Sequence, residues 1–276
     1  MRTFFRAWLT GAAIGLLLTP AHASDREREA RLVEEIEANI FDGEVVQLDT
    51  GGTTFAAVEM APDQDARGAV ILLHGRGFHA DWPENIGPLR VTLAESGWHT
   101  LSLQLPVLEK SAKYFDYLPI LPDAIPRIDA AVSHLKNQGI NKVVLLAHSC
   151  GAHMAMLWLE QSNGNGIDAF IGIGMGATDY QQPMRHPFPF ASLSIPVLDL
   201  YGERDFPAVH RLAPERLSLI EKAANVHRLA PERLSLIEKA ANSYSQQIVV
   251  PEADHYFKGS TDVLGEHVKA WLETLP

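Results

Sequence analysis

The sequence predicts an α/β fold in which a mostly parallel sheet carries helices on both faces. Short apolar runs recur at 69–73, 100–105, 142–147, 169–173, 195–201 and 247–250. Runs without polar alternation belong to strands covered on both sides, as in a parallel sheet. Helical periodicity separates most of them, at 88–95, 125–136 and 152–160, with a last helix at 262–275. Strand, helix and strand repeated in this way build right-handed crossover units.

The elements follow in chain order. Residues 1–23 read as a removable signal peptide: Arg2 and Arg6 precede an apolar stretch, and Ala21 and Ala23 supply small residues at a cleavage site. The stretch is short for a membrane span, and the charged 25–29 follows at once, so no stable anchor is expected after processing. The mature chain then starts at Ser24 and is periplasmic or secreted. Cys150 is the single cysteine, so neither an internal disulfide nor a lipid-bearing cysteine at the cleavage site is available.

Residues 24–39 place Leu32, Ile36 and Ile40 on one narrow stripe of a charged helix. Residues 44–49 and 53–60 read as an antiparallel hairpin turned at Gly51-Gly52. The alternating strand and helix pattern then runs from Ala69 without a Gly/Ser/Pro linker, so 24–276 is one domain. Long loops at 107–121, at 176–194 and after Gly202 follow strand ends, where an open α/β sheet holds its ligand. The chain has 276 residues and a net charge of −11, or −13 without 1–23, and no basic cluster, which disfavours nucleic acid as a partner.

The chemistry concentrates at Ala147-His148-Ser149-Cys150-Gly151, between the apolar run 142–147 and a helix start. This is a nucleophile elbow, with small residues two before and two after Ser149 and alanine where glycine is commonest. A serine at a helix amino end also places backbone N–H groups near developing negative charge. Cys150 as nucleophile would put His148 where a small residue is required, so its N–H is the better role, as half of an oxyanion hole. His74-Gly75-Arg76-Gly77 follows another strand; the Arg76 N–H is the natural second donor, with Gly77 an alternative.

A serine needs a base, and the base needs an orienting carboxylate. Asp205 and His255 both stand just past strand ends, in the order serine, acid, histidine. Asp254 and Asp199 compete for the acid role, but the first adjoins the histidine and the second lies inside a strand. Gly77, Phe78, His148, Tyr114 and Phe188 are the candidates for contacting substrate. No carboxylate or second histidine recurs at ligand spacing around His74 and His79, so no metal site is expected.

On these residues the chain resembles the α/β-hydrolase superfamily over nearly all of 44–276. More narrowly, His74-Gly75-x-Gly77 leading to Asp81-Trp82-Pro83, then Gly97-Trp98-His99 through Pro106, looks like an uncharacterised family of exported bacterial α/β-hydrolase-like proteins. The resemblance implies an eight-stranded sheet, a triad of Ser149, His255 and Asp205, and ester hydrolysis without a cofactor. Ala147 in place of glycine departs from the common pattern and is tolerated sterically.

Residues 209–225 read VHRLAPERLSLIEKAAN, and 226–242 repeat them without a change, the mark of a recent in-frame duplication. Asp205 and His255 are 50 residues apart; removing one copy leaves 33, enough for one strand-helix-strand unit. The extra copy is therefore an additional helix between the last two strands. A wheel of the first copy puts Leu212, Ala213, Leu217, Leu219, Ile220, Ala223 and Ala224 on one arc. A break near 225–230 is expected, with Asn225 as a left-handed cap and Pro231 in the first turn of a second helix. The second apolar face then serves homo-oligomer formation or extends a lid.

These readings converge on an exported serine hydrolase, a carboxylesterase for short-chain acyl esters, with a small-molecule ester as partner. A peptidase or amidase on envelope material, and a retired hydrolase fold that binds through the repeat helices, are the competing readings.

Overall fold

The computed structural model describes residues 24–179, 182–229 and 244–276. The expected signal peptide, 1–23, and most of the second repeat copy lie outside the described residues.

Eight strands form one sheet: β1 (Glu44–Asp49), β2 (Thr54–Met60), β3 (Ala69–Leu73), β4 (His99–Leu103), β5 (Val143–His148), β6 (Ala169–Ile173), β7 (Val197–Arg204) and β8 (Gln246–Asp254), in the order β1-β2-β4-β3-β5-β6-β7-β8. The β1–β2 and β2–β4 pairs are antiparallel, and the other five are parallel. The predicted hairpin turns at Gly51, whose φ of +86° suits glycine.

The unbroken apolar runs are explained by the two cores they separate. In β3, Ala69, Ile71 and Leu73 face one cluster and Val70 and Leu72 the other; β5 divides Val143, Leu145 and Ala147 from Val144 and Leu146 in the same way. The first cluster is covered by the short α3 (Tyr114–Tyr117), α4 (Ile125–Asn137) and α5 (Cys150–Ser162), through residues such as Tyr117, Ile128, Leu135 and Met154. The second is covered by α2 (Ile86–Glu95) and α7 (Thr261–Leu272), through Leu89, Leu93, Val268 and Trp271. Burying whole side chains at about 1.5–3 kcal/mol each on both faces is what commits these segments to central strands.

Helix α1 (Arg26–Asn39) starts under Asp25, whose carboxylate accepts the Arg28 N–H at 2.9 Å. Its stripe is as narrow as predicted, with Ile36 packed on Val58 and Ala80. Polar anchors add to it: Glu29 pairs with the buried Arg127 at 2.8 Å, and Arg28 Nη2 donates to the Gly77 carbonyl at 3.0 Å. Among the described residues no helix is long and apolar enough to cross a membrane.

The first repeat copy lies in α6 (Pro207–Leu229), between β7 and β8. The helix continues through Asn225, which corrects the expected left-handed cap there; propagation along an already nucleated helix outweighs the local preference of asparagine for a cap. The expected start of a second helix at Pro231 lies outside the described residues. The wheel also needs correction: Leu217 is exposed, while Arg216 is fully buried. Arg216 Nε donates to Asp199 at 2.7 Å, and its Nη1 donates to the carbonyls of Met175 and Val209. Three satisfied donors let a guanidinium occupy a place that a binary apolar pattern assigns to leucine.

Candidate active site

Strand β5 ends at His148, and Ser149 stands on the bend before α5 with φ 55° and ψ −116°. A non-glycine residue at positive φ costs on the order of 1–3 kcal/mol and persists only where its surroundings enforce it. Gly151 shows why small flanking residues are needed: a Cβ there would lie 2.5 Å from the His74 carbonyl oxygen and 2.9 Å from that of Leu73. Ala147, paired with Leu73 and Gly172, fits the same crowded layer.

Asp205 follows the last residue of β7, and His255 follows the last residue of β8. Both strands run further than the apolar pattern indicates, with a bulge between Gly202 and Arg204. His255 Nε2 lies 2.8 Å from Ser149 Oγ, and His255 Nδ1 lies 2.6 Å from Asp205 Oδ1. A carboxylate on Nδ1 fixes that nitrogen as the protonated one, leaving Nε2 to accept the serine proton. Burial pushes the Asp205 carboxyl up, but the hydrogen bond and charge of His255 and the Phe206 N–H outweigh it and hold the group below the usual carboxylate range. Phe206 stacks on the imidazole at 4.2 Å. Gly174 passes so close that a Cβ would sit 2.9 Å from His255 Cε1.

The competing acids are engaged elsewhere. Asp254 accepts the backbone N–H groups of Tyr256 and Lys258, and Asp199 pairs with Arg216.

Cys150 opens α5, so its backbone N–H has no intrahelical acceptor. Its thiol is buried and pushed up to about 12, chiefly by desolvation, which leaves no thiolate for chemistry near neutral pH. The loop carrying Arg76 is held at two points. His74 Nδ1 donates to the Gly75 carbonyl at 2.8 Å while its Nε2 accepts the Leu105 N–H at 2.9 Å; burial pushes this imidazole down to about 3, so it stays neutral. Arg76 Nη1 donates to Asp179 Oδ1 at 3.0 Å, and Asp179 Oδ2 accepts the Tyr114 N–H, so one carboxylate ties three loops together.

A cavity of about 520 Å³ opens over Ser149 and His255. Phe78 and Tyr114, two of the candidates for contacting substrate, line it. Three other candidates do not. His148 is fully buried beneath His255, donating from Nε2 to the His255 carbonyl at 2.9 Å; it shares the inward face of β5 with Val144 and Leu146. Phe188 packs against Phe190 and under the Arg216 guanidinium, where burial gains more than lining a cleft would. Gly77 lies outside the lining, with its carbonyl taken by Arg28. Conversely, sequence reasoning missed Asp179, Phe206, Arg211 and Tyr256, which do line the cavity. The sequence marks the loop 176–194 as a whole, yet nothing local identifies Asp179 as the partner of an arginine 103 residues away. Among the described residues no group of three His, Cys, Asp or Glu is placed to hold a metal ion.

Comparison with known proteins agrees with the architecture. The profile of a family described as "Protein of unknown function (DUF3530)" matches residues 17–116 and 122–272. Protein ABHD14A of Mus musculus is 27% identical over 180 residues, covering 64% of this chain and 67% of that protein. Among solved structures, a dienelactone hydrolase from Anabaena variabilis aligns with a TM-score of 0.62 at 16% identity, over 84% of this chain and 97% of that one. A serine hydrolase without a lid from Xanthomonas campestris aligns with a TM-score of 0.59 at 14% identity, over 86% and 97%. The chain has the α/β-hydrolase fold.

Proposed function

The chain belongs to the DUF3530 family, and for this member we propose a serine hydrolase that cleaves short-chain carboxylic esters through a covalent acyl-enzyme. The observation that carries the proposal is the continuous relay from Ser149 Oγ through His255 to Asp205 at 2.8 and 2.6 Å. Ser149 Oγ attacks the ester carbonyl while His255 Nε2 takes its proton. Asp205 orients the ring and stabilises the imidazolium. The N–H groups of Cys150 and Arg76 receive the negative charge that develops on the carbonyl oxygen. His255 then protonates the departing alkoxide, leaving Ser149 acylated. Water, deprotonated by the same nitrogen, releases the acid and restores the hydroxyl.

Every side chain this cycle needs is on the chain, so no cofactor or metal enters it. Support for short substrates comes from the modest volume of the cavity, about 520 Å³. Export directed by 1–23, release to the periplasm or beyond, and homo-oligomer formation through the repeat belong to the same proposal. Deleting 226–242 and measuring oligomeric mass tests the last of these; an unchanged mass removes it.

Hydrolysis of 4-nitrophenyl acetate, butyrate and octanoate beside the matching anilides tests the reaction. The reading predicts turnover of the shorter esters, weak turnover of anilides, and a loss in Ser149→Ala of about 10³-fold or more. Equal activity in the folded Ser149→Ala variant overturns it.

A further inference from the structure

The charges that line the cavity point the other way from the charge of the chain. The protein carries −11 overall, yet the side chains facing this cleft include two guanidiniums, Arg76 and Arg211, and one carboxylate, Asp179. Asp179 has both oxygens committed, to Arg76 Nη1 and to the Tyr114 N–H. Arg211 has a single long contact, from Nη2 to the Gln182 carbonyl at 3.5 Å, and pairs with no carboxylate among the described residues. Asp205 is turned to His255, Asp254 accepts the N–H groups of Tyr256 and Lys258, and neither lines the cavity.

A second feature of the same wall has the same sign. Helix α6 begins at the cavity, with Pro207 and Ala208 in the lining, and its first turn contains no acidic residue. The aligned peptide dipoles give a helix start partial positive charge, and Arg211 stands one turn further along. Aromatic rings share the lining: Phe78 stacks on Trp82 at 4.0 Å and meets Tyr256 at 5.7 Å, and Tyr256 meets Phe206 at 5.9 Å. The cleft thus offers apolar contact together with a planar bidentate donor suited to a carboxylate.

We propose that this site selects esters that carry an anionic group, with Arg211 as the specificity-determining residue and Arg76, held by Asp179, supporting it. The inference rests on the hydrolase reading above and names its substrate class. The anion can belong to the acyl part or to the leaving alcohol, and both sources present the same chemistry to Arg211.

Two matched pairs of substrates test it on the purified protein. On the acyl side, mono-(4-nitrophenyl) glutarate is compared with its methyl ester; on the leaving-group side, 4-acetoxybenzoate is compared with methyl 4-acetoxybenzoate. Each kcat/KM is divided by the uncatalysed rate. The proposal predicts an anionic-to-neutral ratio of about 10 in at least one pair at low ionic strength. That ratio should shrink severalfold in 0.5 M NaCl and in Arg211→Gln, with partial recovery in Arg211→Lys. Ratios near or below one in both pairs overturn the proposal, as does a ratio that Arg211→Gln leaves unchanged. Failure of the hydrolase reading looks different: none of the four esters is turned over, and the proposal falls with it.

Discussion

Replacing Arg216 by methionine removes a cation from the most enclosed ion pair among the described residues. Arg216 and Asp199 are both fully buried, and the guanidinium donates to Asp199 Oδ2 at 2.7 Å, to the Met175 carbonyl at 2.9 Å and to the Val209 carbonyl at 3.0 Å. It also lies over the rings of Phe188 and Tyr201. Methionine fills much of the volume but leaves Asp199 with one donor, Gln247 Nε2, and leaves two carbonyls without theirs. Breaking a buried pair from one side costs about 3–5 kcal/mol, which for a domain of this size lowers Tm by roughly 6–20 °C.

The pH dependence gives a second signature. Burial already pushes the Asp199 carboxyl above its ordinary value against the pull of Arg216 and Gln247. Without Arg216 it rises further, so the folded variant holds a proton that the unfolded chain releases. The deficit is therefore full at high pH and shrinks as pH falls toward the unfolded carboxylate value near 4. Urea denaturation at pH 8 and pH 5 measures both effects. A loss below about 1 kcal/mol at pH 8 refutes the reasoning. Because Arg233 holds the same place in the second copy, the double variant Arg216→Met/Arg233→Met then shows whether that copy can occupy the groove.

Four further outcomes follow from the same geometry. Gly151→Val places carbon against the carbonyls of His74 and Leu73, and is expected to abolish soluble expression or cost more than about 3 kcal/mol, read by thermal melting. Glu59 is desolvated, but donors from His99, Gln138 and His134 outweigh burial and hold its carboxyl at about 2, so its stabilisation is complete above pH 4.5 and is lost as pH falls toward 2. Glu59→Gln should flatten acid denaturation across that window by on the order of 2–3 kcal/mol. The Cys150 thiol should resist iodoacetamide at pH 8 in the folded protein and react on unfolding, followed by mass. Asp179→Ala frees the Arg76 loop and should lower kcat more than it raises KM; a pure KM effect would assign Asp179 to binding alone.

How much was legible depended on whether the decisive physics was local. The strands β3 and β5 were readable because double-sided burial leaves an unbroken apolar run. The elbow was readable because steric crowding at Ala147 and Gly151 leaves small residues on either side of Ser149. Asp205 and His255 stood out by their positions after strands, although their meeting depends on extensions of β7 and β8 that carry no apolar signature: Gly202-Glu203-Arg204 and Pro251-Glu252-Ala253-Asp254. The burial of His148 could have been read from its alternation with Val144 and Leu146. Arg216, Phe188 and Asp179 could not, since each is placed by a partner on another element. A wheel sends every charged side chain outward, and only the three acceptors around Arg216 reverse that choice.

An activated Ser149 reacts with a fluorophosphonate probe, and intact-mass spectrometry reads the adduct. One adduct per chain is expected, mapped to Ser149, absent in Ser149→Ala and formed at least about 10³-fold more slowly in His255→Ala. A folded protein that stays unlabelled, or that carries the adduct on another residue, contradicts it.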